Sequence, residues 1–218
     1  MVTPSKYANN FLPIKYMLAS YRALSDGKVG IAHLENMLAN SDYLFSEWKI
    51  IWTGTCSTLR TAIDLFQRDA RMCLSDSIGS EIKNEWNSIK QNADEHPIFW
   101  EFLRKERNNI AHEYAWTAYE AWLEPDGTVQ SPPTILGRLM SESEARPKIM
   151  MKAGRYEGAD SVELLHEAAD WVQNRIFGAV ERAGYNPDEK RGIYDFRKMP
   201  DKHSQAVGLL AAYADQIG

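Results

Sequence analysis

Within one short run of this 218-residue chain, Arg107-Asn108-Asn109-Ile110-Ala111-His112-Glu113-Tyr114, stand a permanent cation, side-chain amides, a group that titrates near neutrality and a phenol. These are the parts needed to process a phosphodiester without a metal. A guanidinium grips phosphate through two parallel hydrogen bonds and stabilises the added charge of a five-coordinate transition state. An imidazole, with an ordinary pKa near 6.5, takes a proton from a ribose hydroxyl or delivers one to the departing oxygen.

The spacing dictates what the scaffold has to supply. On a regular helix residues five apart are separated by about 140°, so Arg107 and His112 of one straight helix cannot both point at one phosphate. A second copy of the helix completes such a site. Asn108, four residues before His112, shares its face and can orient the imidazole or contact phosphate. Arg107 lies beside the apolar stripe of Phe99, Leu103, Ile110 and Tyr114 and is expected to be partly enclosed. Arg104, Lys105, Glu106 and Glu113 read as solvated helix charges, with Arg104 and Lys105 also placed to guide RNA. The competing reading is structural: Arg107 pairs with a carboxylate inside the bundle, His112 closes a hydrogen-bond network and Tyr114 is core.

The elements that must hold this segment are mostly helical. Trp48, Trp52, Thr55, Leu59, Ala62, Ile63, Phe66, Ala70 and Cys73 recur every three or four residues and predict one long helix over residues 41–73. Arg60, Asp64, Arg68 and Asp69 fall off that stripe and read as its solvated face. Ile82, Trp86 and Ile89 mark a shorter helix with Ser80 as N-cap. His96-Pro97 opens the helix that carries the motif, expected to reach about residue 116. Residues 119–123 and 148–156 read as extended, Glu124-Pro125-Asp126-Gly127 is a turn, and Pro132-Pro133 breaks the stretch between them. A last helix begins at Asp160, with Glu163 reaching back, carries Val162, Leu165, Ala169, Val172, Ile176 and Val180 on one face, and ends at Gly184. His166 sits beside that face as an edge histidine. The expected fold is therefore mainly α, a helical bundle with a small β-rich insertion between the last two core helices. Residues 1–39 form an N-terminal helical extension, 40–184 the helical domain with its insertion at about 117–158, and 185–218 a C-terminal extension that wraps the surface or stays mobile, with a short helix over 204–217.

Composition narrows the function. A net charge of -5 and a pI near 5.6 argue against indiscriminate coating of nucleic acid, which depends on neutralising many phosphates, but leave room for a local phosphate contact. Seven tryptophans at helical spacing serve the core better than they serve base stacking. Cys56 and Cys73 are read as reduced packing residues. With no secretory pattern and no apolar run of bilayer length, a cytoplasmic location without membrane contact is expected. His33, His96, His112, His166 and His203 show no metal-binding spacing, and there is no glycine-rich phosphate loop or nucleophile elbow.

The segment from Arg107 to Tyr114 resembles the Arg-x4-6-His motif of HEPN domains, in the Arg-Asn-x-x-x-His-x-Tyr form found in HEPN toxins paired with nucleotidyltransferase antitoxins. A bare Arg-x4-6-His match is expected roughly once by chance in a chain of this composition, whereas the form with asparagine and tyrosine is expected about once in a thousand such chains. Arg197 and His203 make a bare match in the tail, where a proline interrupts it. The resemblance covers residues 40–184 as an arrangement of helices. It implies a HEPN-like bundle, a homodimer with facing motifs, and a metal-independent endoribonuclease that cleaves RNA by attack of the ribose 2′-hydroxyl at a composite dimer site. Arg107, His112 and Asn108 are then the catalytic residues, and Tyr114 a further site or modification residue. Such a protein serves as a toxin of a toxin-antitoxin pair or as a phage-defence effector, needs no cofactor, and is restrained by an antitoxin or regulatory protein. The alternative is a non-catalytic HEPN module that binds RNA, nucleotide or a protein partner. The acidic charge favours that alternative; retention of arginine, asparagine, histidine and tyrosine together favours the enzyme. The β-rich insertion departs from the smallest members.

Overall fold

The computed structural model describes residues 11–40, 44–72, 75–109, 117–130 and 145–192. In chain order these form β1 (Phe11–Pro13), α1 (Ile14–Met17), α2 (Ala19–Asn40), α3 (Phe45–Met72), α4 (Asp76–Gln91), a 3-10 turn (Ala93–Glu95), a π-helical stretch (Ile98–Leu103) running into α5 (Arg104–Asn108), β2 (Ala118–Leu123), β3 (Val129–Gln130), β4 (Arg146–Met151), α6 (Ser161–Arg182) and β5 (Lys190–Gly192). The described residues are mainly helical, with two small antiparallel sheets among them: β1 with β5, and β2 between β3 and β4.

Helix α3 is the central element. Its apolar positions fall three and four apart, so Trp48, Trp52, Leu59, Ala62, Ile63 and Phe66 share one face and are buried. Against that face lies α2, which contributes Leu24, Ile31 and Leu34 to the same core. The two helices approach closely because Gly30 has no side chain: a Cβ there would stand 2.3 Å from the Thr55 hydroxyl oxygen. Residues 11–40, assigned from the sequence to an extension, thus share one apolar cluster with the long helix.

Asp69 corrects the solvated-face reading of α3. It is only 5% exposed and accepts hydrogen bonds from the backbone N–H of Ala19 (3.0 Å) and Ser20 (2.9 Å) and from the Ser20 hydroxyl (2.6 Å). The first N–H groups of a helix lack partners of their own, and here a carboxylate from another helix supplies one for α2. Burial pushes the Asp69 carboxyl above its ordinary range, and the bonds from Ser20 and Ala19 partly restore it.

Helix α4 starts a turn earlier than its expected Ser80 cap. Ser75 is the N-cap, its hydroxyl accepting from the Ile78 N–H, and Ser80 lies inside the helix. The extra turn buries Ile78 on the same side as Ile82 and Ile89. Buried Glu85 ties α4 to α6, bonded to Arg175 at 2.8 Å and also to Arg182. Helix α6 follows its sequence pattern: Asp160 Oδ1 accepts from the N–H groups of Val162 (2.9 Å) and Glu163 (3.3 Å), and the predicted stripe from Val162 to Val180 is buried. Gly184 closes the helix at φ 87°, a conformation that side chains with a Cβ avoid. His166 is half exposed at the edge, 2.7 Å from Glu35 Oε1 of α2.

The expected extended segment at 119–123 is the central strand β2, and the segment expected at 148–156 is β4, which begins earlier and ends at Met151. The C-terminal extension wraps back, since Lys190, Arg191 and Gly192 pair with Pro13, Leu12 and Phe11. The short helix expected over 204–217 lies outside the described residues. Among the described residues no helix is long and apolar enough to cross a membrane.

Candidate functional site

The helix that carries the motif is not regular. Its start is set by Pro97, after which the His96 carbonyl accepts from the N–H groups of both Phe99 and Trp100 at 3.1 Å. The chain then winds as a π-helix through Leu103, burying Ile98, Phe99, Phe102 and Leu103 together against the bundle. Helical periodicity forecasts which of these residues turn inward, but it does not distinguish a widened turn from an α-helical one. Regular α-helical winding resumes at Arg104, so the straight-helix geometry assumed from the sequence holds only for part of this segment.

Two of the motif residues are in view. Arg107 is exposed, not partly enclosed as its place beside the apolar stripe suggested, because the stripe residues Phe99 and Leu103 turn inward from the preceding winding. Its Nη1 donates to Asn108 Oδ1 at 3.1 Å, and among the described residues it forms no ion pair. The structural alternative, in which Arg107 pairs with a buried carboxylate, finds no partner among those residues. His112 and Tyr114 lie outside the described residues, as does Glu113.

Arg104 and Lys105 differ in their surroundings. The Arg104 guanidinium lies over the Trp100 ring at 4.9 Å, whereas Lys105 is ion-paired with Glu101 one turn earlier. With Ala93, Trp100, Glu101 and Asn108 they line a cleft of about 410 Å³. Trp100 was not singled out as a site residue; its spacing of four from Arg104 was the available signal.

Beneath this surface lies Glu106, 4% exposed, where the sequence suggested a solvated charge. It is drawn inward because it faces the α3 core and accepts the hydroxyl of Thr117. Burial pushes its carboxyl above the ordinary range; the Thr117 hydroxyl and the nearby Trp52 indole favour the ionised form and offset part of that rise. The Trp52 Nε1 itself makes no hydrogen bond among the described residues. Burial, reinforced by the Glu106 charge, holds the Cys56 thiol well above its usual range, which makes it a packing residue of low reactivity.

His96 is also buried, edge-on to Trp171 at 5.7 Å, and burial together with the Arg175 charge lowers its pKa. Among the described residues no group of three or more histidine, cysteine, aspartate or glutamate side chains is placed to hold a metal ion. Comparison with protein-family models, with curated proteins and with solved structures returned no match.

Proposed function

We propose that the protein is a metal-independent endoribonuclease of the HEPN type, acting as a homodimer and serving as a toxin or defence effector held in check by a partner protein. The observation that carries this reading is the pair Arg107 and Asn108, hydrogen-bonded to each other on an exposed helix surface, in the sequence context that places His112 four residues after the amide. An arginine with no carboxylate partner among the described residues is available for phosphate, and its amide neighbour fixes one edge of the guanidinium.

In the proposed reaction the ribose 2′-hydroxyl attacks phosphorus while His112 takes its proton. The bond from phosphorus to the 5′-oxygen breaks, and that oxygen leaves as a hydroxyl after accepting a proton from the second motif of the dimer. Arg107 holds the phosphate and stabilises its additional charge, and Asn108 positions the groups. The products are a 2′,3′-cyclic phosphate and a 5′-hydroxyl end.

The experiment is cleavage of single-stranded RNA by the purified chain in EDTA, with analysis of the end groups. Cyclic phosphate ends and no cleavage of the matching DNA are expected, since DNA lacks the attacking hydroxyl. Strict dependence on added magnesium or manganese would contradict the proposal. A second reading, a HEPN module that binds RNA, nucleotide or a protein partner without cutting, is favoured by the net charge of -5; binding without cleavage in the same assay would select it.

A further inference from the structure

We propose that the cleft lined by Ala93, Trp100, Glu101, Arg104, Lys105 and Asn108 is a nucleobase subsite for single-stranded RNA, adjoining the phosphate site at Arg107. The proposal rests on the ribonuclease reading for its place in the reaction, but its geometry stands separately.

Trp100 is held rigidly. Its Nε1 donates to the Ile89 carbonyl at 3.1 Å, and the Phe99 ring meets it at 4.8 Å and 79°, so its orientation is set from two sides. Over it lies the Arg104 guanidinium, exposed and without an ion pair among the described residues. A planar cation backed by a fixed indole is an ordered stacking surface for a base. The cleft volume of about 410 Å³ lies within the range of roughly 300 to 1,000 Å³ typical of small-ligand sites.

The charge around the cleft suits the same ligand. Among the described residues that line the cleft, Arg104 and Lys105 stand against the one carboxylate of Glu101, which is paired with Lys105, so the Arg104 charge is left uncompensated within the lining. Asn108 links the two parts: it lines the cleft and also accepts from Arg107. Its Oδ1 is engaged by that bond, which leaves its amino group as the donor for a base edge. A base stacked on Arg104 would therefore belong to a nucleotide next to the phosphate held by Arg107. Stacking tolerates any base, so the subsite selects single-stranded RNA over duplex rather than one sequence.

The test is fluorescence anisotropy of a short fluorescein-labelled oligouridylate with the full chain, alongside cleavage kinetics. Arg104→Ala, at an exposed position, is expected to weaken binding about tenfold and to raise KM more than it lowers kcat. Trp100→Leu should have a similar effect, and Lys83→Ala, an exposed cation on α4, should bind like wild type. Wild-type affinity in Arg104→Ala overturns the subsite, whether or not Trp100→Leu folds. The two proposals can fail separately. Weakened binding by Arg104→Ala in a protein that never cuts RNA supports the subsite and removes the nuclease, whereas cleavage with wild-type KM in Arg104→Ala supports the nuclease and removes the subsite. A wild-type chain that binds no RNA overturns both.

Discussion

The Thr117 hydroxyl donates to Oε1 of Glu106, and the two residues stand eleven apart in sequence, one on each side of the segment that holds His112 and Tyr114. The contact joins the described residues on either side, Glu106 of α5 and Thr117 just before β2, to each other. Glu106 is immediately next to Arg107, so a buried acid and an exposed base occupy consecutive positions and face different surroundings.

Glu106→Gln should show what the buried carboxyl costs. Burial raises the folded-state pKa of Glu106 above its unfolded value, so its contribution is most favourable below the unfolded pKa and is lost as pH rises through the folded one. Glutamine keeps an acceptor for Thr117 without ionising. Thermal unfolding at several pH values is expected to show Glu106→Gln close to wild type in acid and more stable than wild type at neutral pH. A variant less stable than wild type at neutral pH, by a margin that grows as pH rises, would refute this account.

Gly79 and Gly54 make opposite predictions for the same substitution. A Cβ at Gly79 would stand 2.7 Å from the Ala70 carbonyl oxygen, a backbone atom that cannot move aside without shifting α3, so Gly79→Ala should destabilise by about 1 to 3 kcal/mol. At Gly54, on the exposed surface of α3, no described residue lies within 4 Å of a new Cβ, and alanine should stabilise by about 0.5 to 1 kcal/mol through helix propensity. Denaturant melts of the two variants check both signs.

Much of this architecture is legible in the residues. The α3 stripe from Trp48 to Phe66, the Asp160 cap and Gly184 follow from local rules, because hydrogen-bond needs and helical period act over neighbouring positions. Asp69 and Glu106 read as solvated in the sequence because their burial depends on partners outside the local helical pattern: Ser20 lies 49 positions from Asp69, and Thr117 lies 11 positions from Glu106. A carboxylate off an apolar stripe looks solvated until a distant donor is known. The π-helical winding at Ile98–Leu103 escaped for another reason, since inward-facing Phe99 and Leu103 fit either winding. Of the candidate site, the motif is visible in sequence, while the stack of Arg104 on Trp100 and the exposure of Arg107 required coordinates.

The most direct test of the central claim is the rate of RNA cleavage by purified wild type, His112→Ala and Arg107→Ala in EDTA, with Arg197→Ala and His203→Ala as controls that share only the bare spacing. Proton transfer by a positioned side chain contributes on the order of 10² to 10⁴ in rate, so His112→Ala should lose that much while keeping its fold, as judged by circular dichroism. Arg107→Ala should lose both binding and turnover, because it removes phosphate contact in the ground state and in the transition state. The two tail variants should cut like wild type. Equal cleavage by wild type and His112→Ala would contradict the ribonuclease assignment outright.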